Sequence, residues 1–221
     1  MNFFPVNLDI RGRKALIVGG GKVAERKCRS LLEAQAHVTI IAPRVTAPLE
    51  ELQGEEKISL LRRPWLSGDG ADACLIFAAT DNHAVNRTVA EEAKRWGIPV
   101  CVVDTPREGT FASPATLRRG DLLITVSTGG KSPALARRIR RDLERLYGPE
   151  YADIVDVVGE LREKLLTTGP GGAYNAQLFN KLLAGDLASL LKPTFPERLR
   201  HDITKAEPER RALLTETKEY P

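Results

Sequence analysis

The sequence has little of what membrane proteins, disulfide-rich secreted proteins and metalloproteins require. No apolar run approaches the ~18–20 residues of a membrane-spanning helix, and the first residues are not a basic segment followed by an apolar one. The chain has only three cysteines and three histidines, with no CxxC pair and no HExxH motif. These absences exclude a disulfide framework and predict no metal site, so we expect a cytoplasmic protein with reduced, buried cysteines.

Length and charge leave several classes of partner open. The 221 residues include 42% hydrophobic ones, enough for one large or two small domains with a buried core. The formal net charge of +4 favours an anionic partner, but it is too small to distinguish a nucleic acid from a small polyanion.

The first part of the chain alternates apolar runs with helical stretches. Apolar runs predict strands at residues 15–18, 37–41, 58–61, 74–79, 100–103 and 122–126. Helices are predicted at residues 23–33 and 83–96, and another begins at Pro133 after the N-cap Ser132. This alternation is typical of a parallel sheet covered by helices on both faces, so an α/β, doubly wound fold is expected.

From residue 151 onward the pattern becomes helical. Apolar residues recur at helical spacing between Ile154 and Leu165, and a second amphipathic helix is predicted at residues 173–191 after a Gly-Pro break. The C-terminal third is therefore predicted to be a helical domain.

Residues 19–24, GGGKVA, match the pattern GxGxxG/A, with Gly19 and Gly21 at its first two positions and Ala24 at the third. The motif follows a predicted strand and opens a predicted helix, where free backbone N–H groups and the positive helix end face a pyrophosphate. Lys22 and Val23 lie in the same turn. The motif predicts a dinucleotide site, although a simple glycine turn between a strand and a helix can have the same sequence pattern.

The second predicted strand ends without the acidic residue that usually binds the ribose 2′-hydroxyl of NAD. Pro43 and Arg44 follow it instead. Taken alone, Arg44 favours NADP, because a guanidinium suits a 2′-phosphate. It could equally point into solvent, so the residues themselves leave the choice of dinucleotide open.

Four separated stretches have the order and spacing of one known family. They are residues 18–27 (VGGGKVAERK), residues 78–81 (AATD) with Val85 and Asn86, residues 102–106 (VVDTP), and residues 127–133 (STGGKSP). On these residues the chain closely resembles the precorrin-2 dehydrogenase family, which includes the N-terminal module of bacterial sirohaem synthases and stand-alone dehydrogenase/ferrochelatases. Two positions depart from the pattern: Cys101 stands where asparagine is frequent and Thr128 where serine is common.

The resemblance implies three parts: a Rossmann-type NAD-binding domain at residues 1–112, a dimerisation and substrate segment at residues 113–150, and a helical domain at residues 151–221. Members of the family oxidise precorrin-2 to sirohydrochlorin, with NAD as hydride acceptor, on the way to sirohaem. The resemblance therefore implies NAD in spite of Arg44, and it implies a homodimer. We also expect Thr80, in the second matching stretch, to bind the cofactor.

Asp104 is the candidate catalytic base. It follows a predicted strand, and the carboxyl ends of parallel strands line the ligand crevice of such folds. The resemblance assigns it the catalytic role, since dehydrogenation needs a group that accepts a proton. Without the resemblance, a turn before Thr-Pro explains this aspartate equally well. His83 could approach the cofactor, but it is interpreted as part of a helix start.

The segment at residues 127–132 has the composition of an anion cradle. Hydroxyls, backbone N–H groups and one lysine are available to the carboxylates of precorrin-2 at Ser127, Thr128, Gly129, Lys131 and Ser132. The segment is not a Walker A loop, because Thr125 occupies the place of its first glycine. The arginines at residues 137–141 are compatible with a solvated helix face, with substrate carboxylates or with nucleic acid.

Two further functions stay open at this stage. A bifunctional enzyme would also insert ferrous iron into sirohydrochlorin, with Asp104 collecting the pyrrole N–H protons. A non-catalytic, NAD-sensing regulator would contact DNA through the arginine-rich helix, but the sequence has no recognisable helix-turn-helix.

Overall fold

The computed structural model describes residues 3–167, which divide into two units. The first unit extends to Pro114 and also includes Thr128–Ser132, whereas the second comprises Ala115–Ser127 and the described residues from Pro133 onward. The helix predicted at residues 173–191 lies outside the described residues. The division into three functional parts stays a prediction.

The first unit is built on a five-stranded, fully parallel sheet. Its strands are β1 (Lys14–Val18), β2 (His37–Ile41), β3 (Ile58–Leu61), β4 (Leu75–Ala78) and β5 (Val100–Val102), in the order β3-β2-β1-β4-β5. The strand order reverses between β1 and β4. This order confirms the predicted Rossmann-type fold, in which ligands bind at the carboxyl ends of the strands beside such a reversal.

Helices cover both faces of this sheet, because neighbouring residues of each central strand point to opposite sides. The helices of the first unit are α1 (Lys22–Glu33), α2 (Ala47–Gly54) and α3 (His83–Arg95). In β1, Ala15 and Ile17 join the core of α1 and α2, whereas Leu16 and Val18 join the core of α3. Helix α2 was not predicted from the sequence.

The chain crosses from β3 to β4 without a helix, through residues 62–74. Both oxygens of Asp69 accept hydrogen bonds from the Arg63 guanidinium, each at 2.7 Å. The buried carboxylate of Glu92 in α3 accepts hydrogen bonds from the Ser67 hydroxyl at 2.5 Å and from the Gly68 N–H at 2.8 Å. These side chains hold the crossover in place.

Gly70 lies at the innermost point of this crossover. A Cβ at this position would lie 2.7 Å from Ile76 Cδ1, 3.2 Å from Trp65 and 3.3 Å from Trp96. A side chain at this position would therefore require Ile76 and the two indole rings to shift.

The second unit contains a hairpin followed by two helices. Its elements are β6 (Ala115–Arg119), β7 (Leu122–Val126), α4 (Pro133–Leu146) and α5 (Tyr151–Thr167). The run predicted at residues 122–126 is a strand, but it pairs antiparallel with β6 instead of extending the parallel sheet. The reason is the two-residue turn at Gly120 and Asp121, where Gly120 has a φ of +54°, because so short a connection joins only antiparallel strands.

The cysteines of the first unit are free thiols. Cys28 and Cys101 are buried and Cys74 is half-buried. Burial raises the pKa of Cys28 to about 11 and also raises the pKa of Cys101, so both stay protonated at neutral pH. No helix within residues 3–167 is long and apolar enough to cross a membrane.

Candidate active site

The glycine loop joins β1 to α1 at the carboxyl edge of the sheet. Gly19 has a φ of +121°, and a side chain there would collide with the Ala79 carbonyl. Gly21 is the N-cap of α1, no side chain caps this helix end, and a Cβ on Gly21 would meet only open space. Ala24 is fully buried against the sheet. An uncapped helix start with open space before it fits the pyrophosphate of a dinucleotide.

A cleft of about 440 Å³ opens beside this loop, within the size range of small-molecule sites. Its walls come from the residues after β1, β2 and β4, from the crossover and from the first turns of α3. The lining residues are Val18, Gly19, Ile41, Ala42, Pro43, Pro64, Trp65, Thr80, Asp81, Asn82, Ala84, Val85 and Thr88. The structure thus brings together three of the predicted cofactor residues, namely Gly19, Pro43 and Thr80.

The other predicted cofactor residues lie around the cleft without lining it. Lys22 begins α1, Val23 follows it half-buried, and Arg44 is exposed in the loop after β2. The Arg44 guanidinium has no hydrogen bond or ion pair with any residue between 3 and 167. The Arg44 guanidinium is therefore available to a ligand.

Asn86 connects the cleft to the candidate base. This fully buried residue accepts hydrogen bonds at Oδ1 from the Thr80 N–H (3.1 Å) and the Thr80 hydroxyl (2.7 Å). Its Nδ2 donates to the Thr80 carbonyl and to Asp104 Oδ1, both at 3.0 Å. The pairing of β4 with β5 brings these residues together, because Thr80 and Asp104 follow adjacent parallel strands. One amide therefore fixes the edge of the cleft and the carboxylate beside it.

Asp104 is held from a second side by His83. Asp104 Oδ2 lies 3.0 Å from His83 Nδ1, so each carboxylate oxygen has one side-chain partner on α3. Partial burial raises the pKa of Asp104. The hydrogen bonds from His83 and Asn86 together lower this pKa by more than burial raises it, so it lies below the ordinary value. The carboxylate is therefore ionised at neutral pH and can accept a proton.

The predicted anion cradle follows β7. Gly129 and Gly130 have φ values of +61° and +82°, and the Ser132 N–H donates to Thr128 Oγ1 at 3.0 Å. Lys131 is exposed. Ser127 belongs to the second unit and Thr128–Ser132 to the first. The assignment of these residues to substrate binding stays a prediction.

The arginine cluster of α4 is partly neutralised within its own helix. Arg138 forms an ion pair with Asp142 at 3.0 Å, and Arg140 pairs with Glu144. Arg137 and Arg141 form no ion pair with residues 3–167. Only half of the cluster is therefore free to meet an anionic ligand.

Two family models match consecutive parts of the chain. The family described as "Putative NAD(P)-binding" matches residues 6–115, and the family described as "Sirohaem biosynthesis protein central" matches residues 119–146. A solved structure described as "SirC, precorrin-2 dehydrogenase" superposes on 92% of this chain and 100% of that chain, with a TM-score of 0.74 and 27% identity. The chain belongs to the precorrin-2 dehydrogenase and sirohaem synthase family.

Curated members of this family are longer than the present chain. The "Siroheme synthase" of Nitrosospira multiformis is 37% identical over 195 residues, which cover 86% of this chain and 41% of the relative. The "Siroheme synthase" of Methylococcus capsulatus is 39% identical over 190 residues, covering 86% of this chain and 40% of the relative. The chain thus spans about two fifths of the length of the relatives it matches.

Sequence reasoning missed three residues of this family member's site. The sequence favours a helix start for His83 over an approach to the cofactor. Asn86 is singled out there only as part of a matching stretch, and no pattern points to Trp65. In the structure His83 and Asn86 bind Asp104, and Trp65 lines the cleft. An asparagine in a predicted apolar helix face was the available signal, because a buried amide must find hydrogen-bonding partners.

Proposed function

We propose that this chain oxidises precorrin-2 to sirohydrochlorin, with NAD as the hydride acceptor. The observation that carries the proposal is the side chain of Asn86, which joins Thr80 at the cleft to Asp104 through hydrogen bonds of 2.7–3.1 Å. An ionised carboxylate is thereby fixed beside a cleft of the size of a small-molecule site. A dehydrogenase needs these two features side by side, because one hydrogen leaves its substrate as hydride and the other as a proton.

NAD supplies the hydride acceptor when it is bound, and the chain's own residues hold it. The N–H groups at the start of α1 would donate to its pyrophosphate, and Gly21 would leave room for the approach. Pro43, Thr80 and Trp65 form walls of the cleft. Arg44, in the loop after β2, would meet the ribose of the bound cofactor.

Asp104 accepts the proton that leaves precorrin-2. The hydrogen bonds from His83 and Asn86 keep it in the charged form that can do so. Hydroxyls and N–H groups at residues 127–132, with Lys131, bind the carboxylates of the substrate. A cradle of neutral donors with one cation suits several carboxylates at once, since each can accept from an O–H or N–H.

The decisive experiment supplies the purified protein with precorrin-2 and NAD under anaerobic conditions. The absorbance spectrum should change to that of sirohydrochlorin while NADH forms in equal amount. A protein that leaves precorrin-2 unchanged, but binds duplex DNA with a steep salt dependence, would instead be the NAD-sensing regulator.

Insertion of ferrous iron into sirohydrochlorin is the second activity that we propose. Asp104 supports it, because an ionised carboxylate can collect the protons that the pyrrole nitrogens release. Ferrous iron added after complete oxidation should convert the spectrum to that of sirohaem faster than in a matched sample without protein. Equal rates with and without protein would reject the second activity and leave the first one standing.

We also propose a symmetric homodimer. In the second unit, Ile139 and Leu146 are exposed and lie two turns apart on one side of α4, where they present an apolar stripe. Light scattering should give twice the monomer mass at micromolar concentration, and Ile139→Lys should weaken the association. A stable monomer at that concentration would contradict the proposal.

The cytoplasm is the location that we propose. The free thiols of Cys28, Cys74 and Cys101 support it, because unpaired cysteines are typical of reducing compartments. Fractionation of cells that produce the protein should recover it with cytoplasmic enzymes.

A further inference from the structure

The imidazole of His83 is not needed to begin α3. Asn82 is the N-cap, and its Oδ1 accepts hydrogen bonds from the N–H groups of Ala84 (3.0 Å) and Val85 (3.3 Å). The His83 ring is directed at Asp104 instead, with its Nδ1 3.0 Å from Asp104 Oδ2. The ring is therefore placed to contact the carboxylate of Asp104, and Asn82 alone caps the helix.

The ring is oriented by groups on both of its nitrogens. The Thr105 hydroxyl lies 3.4 Å from Nδ1, and Glu108 Oε1 lies 3.6 Å from Nε2 on the other side. Arg87, the cationic residue one turn further along α3, forms an ion pair with Glu91 at 3.1 Å. Because an ionised carboxylate can only accept hydrogen bonds, His83 donates from Nδ1 to Asp104.

The two partners of Asp104 act on different oxygens. Asn86 binds Oδ1 and His83 binds Oδ2, so rotation of the carboxylate about its Cβ–Cγ bond would break one hydrogen bond or the other. Asn86 is buried and also bound to Thr80, whereas the His83 ring is half-exposed. Of the two, only the histidine is accessible to solvent.

We infer that His83 is a positioning residue for Asp104, holding its carboxylate in the orientation in which it takes the proton from the substrate. This role deepens the proposed function and rests on it. The substrate's proton passes to an Asp104 oxygen, the substrate keeps the bonding electrons, and His83 retains its own proton throughout.

The first test compares His83→Ala with His83→Asn. Alanine removes the donor, whereas the asparagine amide can place an N–H close to the position of Nδ1–H. In His83→Ala we expect kcat to fall about 10- to 100-fold, the cost of a misaligned reacting group, with an unchanged KM for NAD. Without the hydrogen bond to its charged form, the pKa of Asp104 should rise, so the acid limb of the kcat profile should move to higher pH. His83→Asn should recover most of both changes.

His37→Ala is the matched control. This exposed histidine begins β2, at the end of the strands opposite to the site. The control should have the kcat and the pH profile of the wild type. Thermal unfolding of each variant shows whether any change comes from lost stability.

A double-variant cycle tests whether His83 acts through Asp104. In the Asp104→Asn background, His83→Ala should cause no further loss of kcat, because the carboxylate that it orients is gone. A further loss equal to the one in the wild-type background would overturn the inference. An acid limb that stays at the wild-type pH in His83→Ala would also overturn the inference.

A measurement without substrate separates this inference from the proposed function. NMR titration of the Asp104 carboxyl carbon should show a higher midpoint in His83→Ala than in the wild type. An unchanged midpoint rejects the inference even in an active enzyme. A wild-type protein that leaves precorrin-2 unchanged rejects the proposed function, and with it a positioning role for His83.

Discussion

Gly20 packs directly against the backbone of Arg44. A Cβ on Gly20 would overlap the Arg44 carbonyl oxygen and lie 2.7 Å from Val45 Cγ1, and the Gly20 carbonyl accepts a hydrogen bond from the Thr46 N–H at 3.0 Å. The loop after β2 is therefore fastened to the glycine loop after β1. The two loops that flank the cleft are thus joined by close packing and by a backbone hydrogen bond.

Gly20→Ala and Gly21→Ala should consequently have different effects. Gly20→Ala should lower the free energy of unfolding by about 1–3 kcal/mol, because the new methyl group collides with backbone. Gly21→Ala should leave stability nearly unchanged, since its Cβ meets open space at an ordinary φ of −85°, but should weaken NAD binding where the pyrophosphate approaches. Chemical denaturation and calorimetric titration measure the two quantities. Equal destabilisation by both substitutions would contradict this account of the loop.

The choice of dinucleotide can be tested at Arg44. We expect kcat/KM to be at least about ten-fold higher with NAD than with NADP, a difference of about 1.4 kcal/mol. If the exposed guanidinium meets a 2′-phosphate, Arg44→Ala should lower the remaining activity with NADP and spare the activity with NAD. Steady-state kinetics with each dinucleotide provide the test, and equal efficiency in the wild type would contradict the preference.

Asp104→Asn should abolish most turnover while leaving NAD affinity intact. The substitution keeps the size of the side chain and removes its capacity to accept a proton, which should lower kcat about 10²- to 10⁴-fold. NAD affinity should stay unchanged, because the pyrophosphate site that we propose lies at the glycine loop. Asp121→Asn, in the exposed hairpin turn, is the matched control for the loss of one negative charge. If Asp104→Asn turned over precorrin-2 within a few-fold of the wild type, Asp104 would be only a turn residue.

The centre of the parallel sheet was predictable because β1, β4 and β5 are buried on both faces. Continuous apolar runs placed β2 and β3 within their observed bounds, and the glycine motif placed the turn from β1 to α1. Helix α2 was not predicted because Leu49 is its only buried residue, so the segment has no apolar periodicity. Thr46 and Pro48, an N-cap and a proline in the first turn, were the signal available for it.

The environment of Asp104 was less predictable than its position. The aspartate follows a strand that the sequence indicates, but its contact with His83 joins residues 21 positions apart. That contact depends on β4 and β5 being neighbours, which no local pattern specifies. The hydrogen bonds of the buried Asn86 amide likewise depend on adjacent strand ends, and the local sequence around Asn86 does not specify them.

The ion pair between Arg63 and Asp69 should make stability depend on pH in the acid range. Hydrogen bonds from Arg63 lower the pKa of Asp69 below its ordinary value of 3.8, against an opposing effect of burial. A lowered pKa in the folded state stabilises the protein above the unfolded-state pKa, and this stabilisation is lost as the pH falls through the folded-state value. Asp69→Asn should therefore lower the free energy of unfolding at pH 7 by about 1 kcal/mol. Urea denaturation should show this difference shrinking below pH 3.8; a difference independent of pH would contradict it.

The crossover packed around Gly70 also gives the molecule an optical property. The chain has two tryptophans, and both rings contact the space that Gly70 leaves open, Trp65 from the wall of the cleft and Trp96 from the end of α3. Trp65 lines the cleft, so the light that this indole emits comes from the wall of the cleft. In Trp96→Phe, all indole emission comes from Trp65, so bound nicotinamide dinucleotide should quench it in proportion to occupancy. The protein thus reports the filling of its own cleft by fluorescence, without an added label.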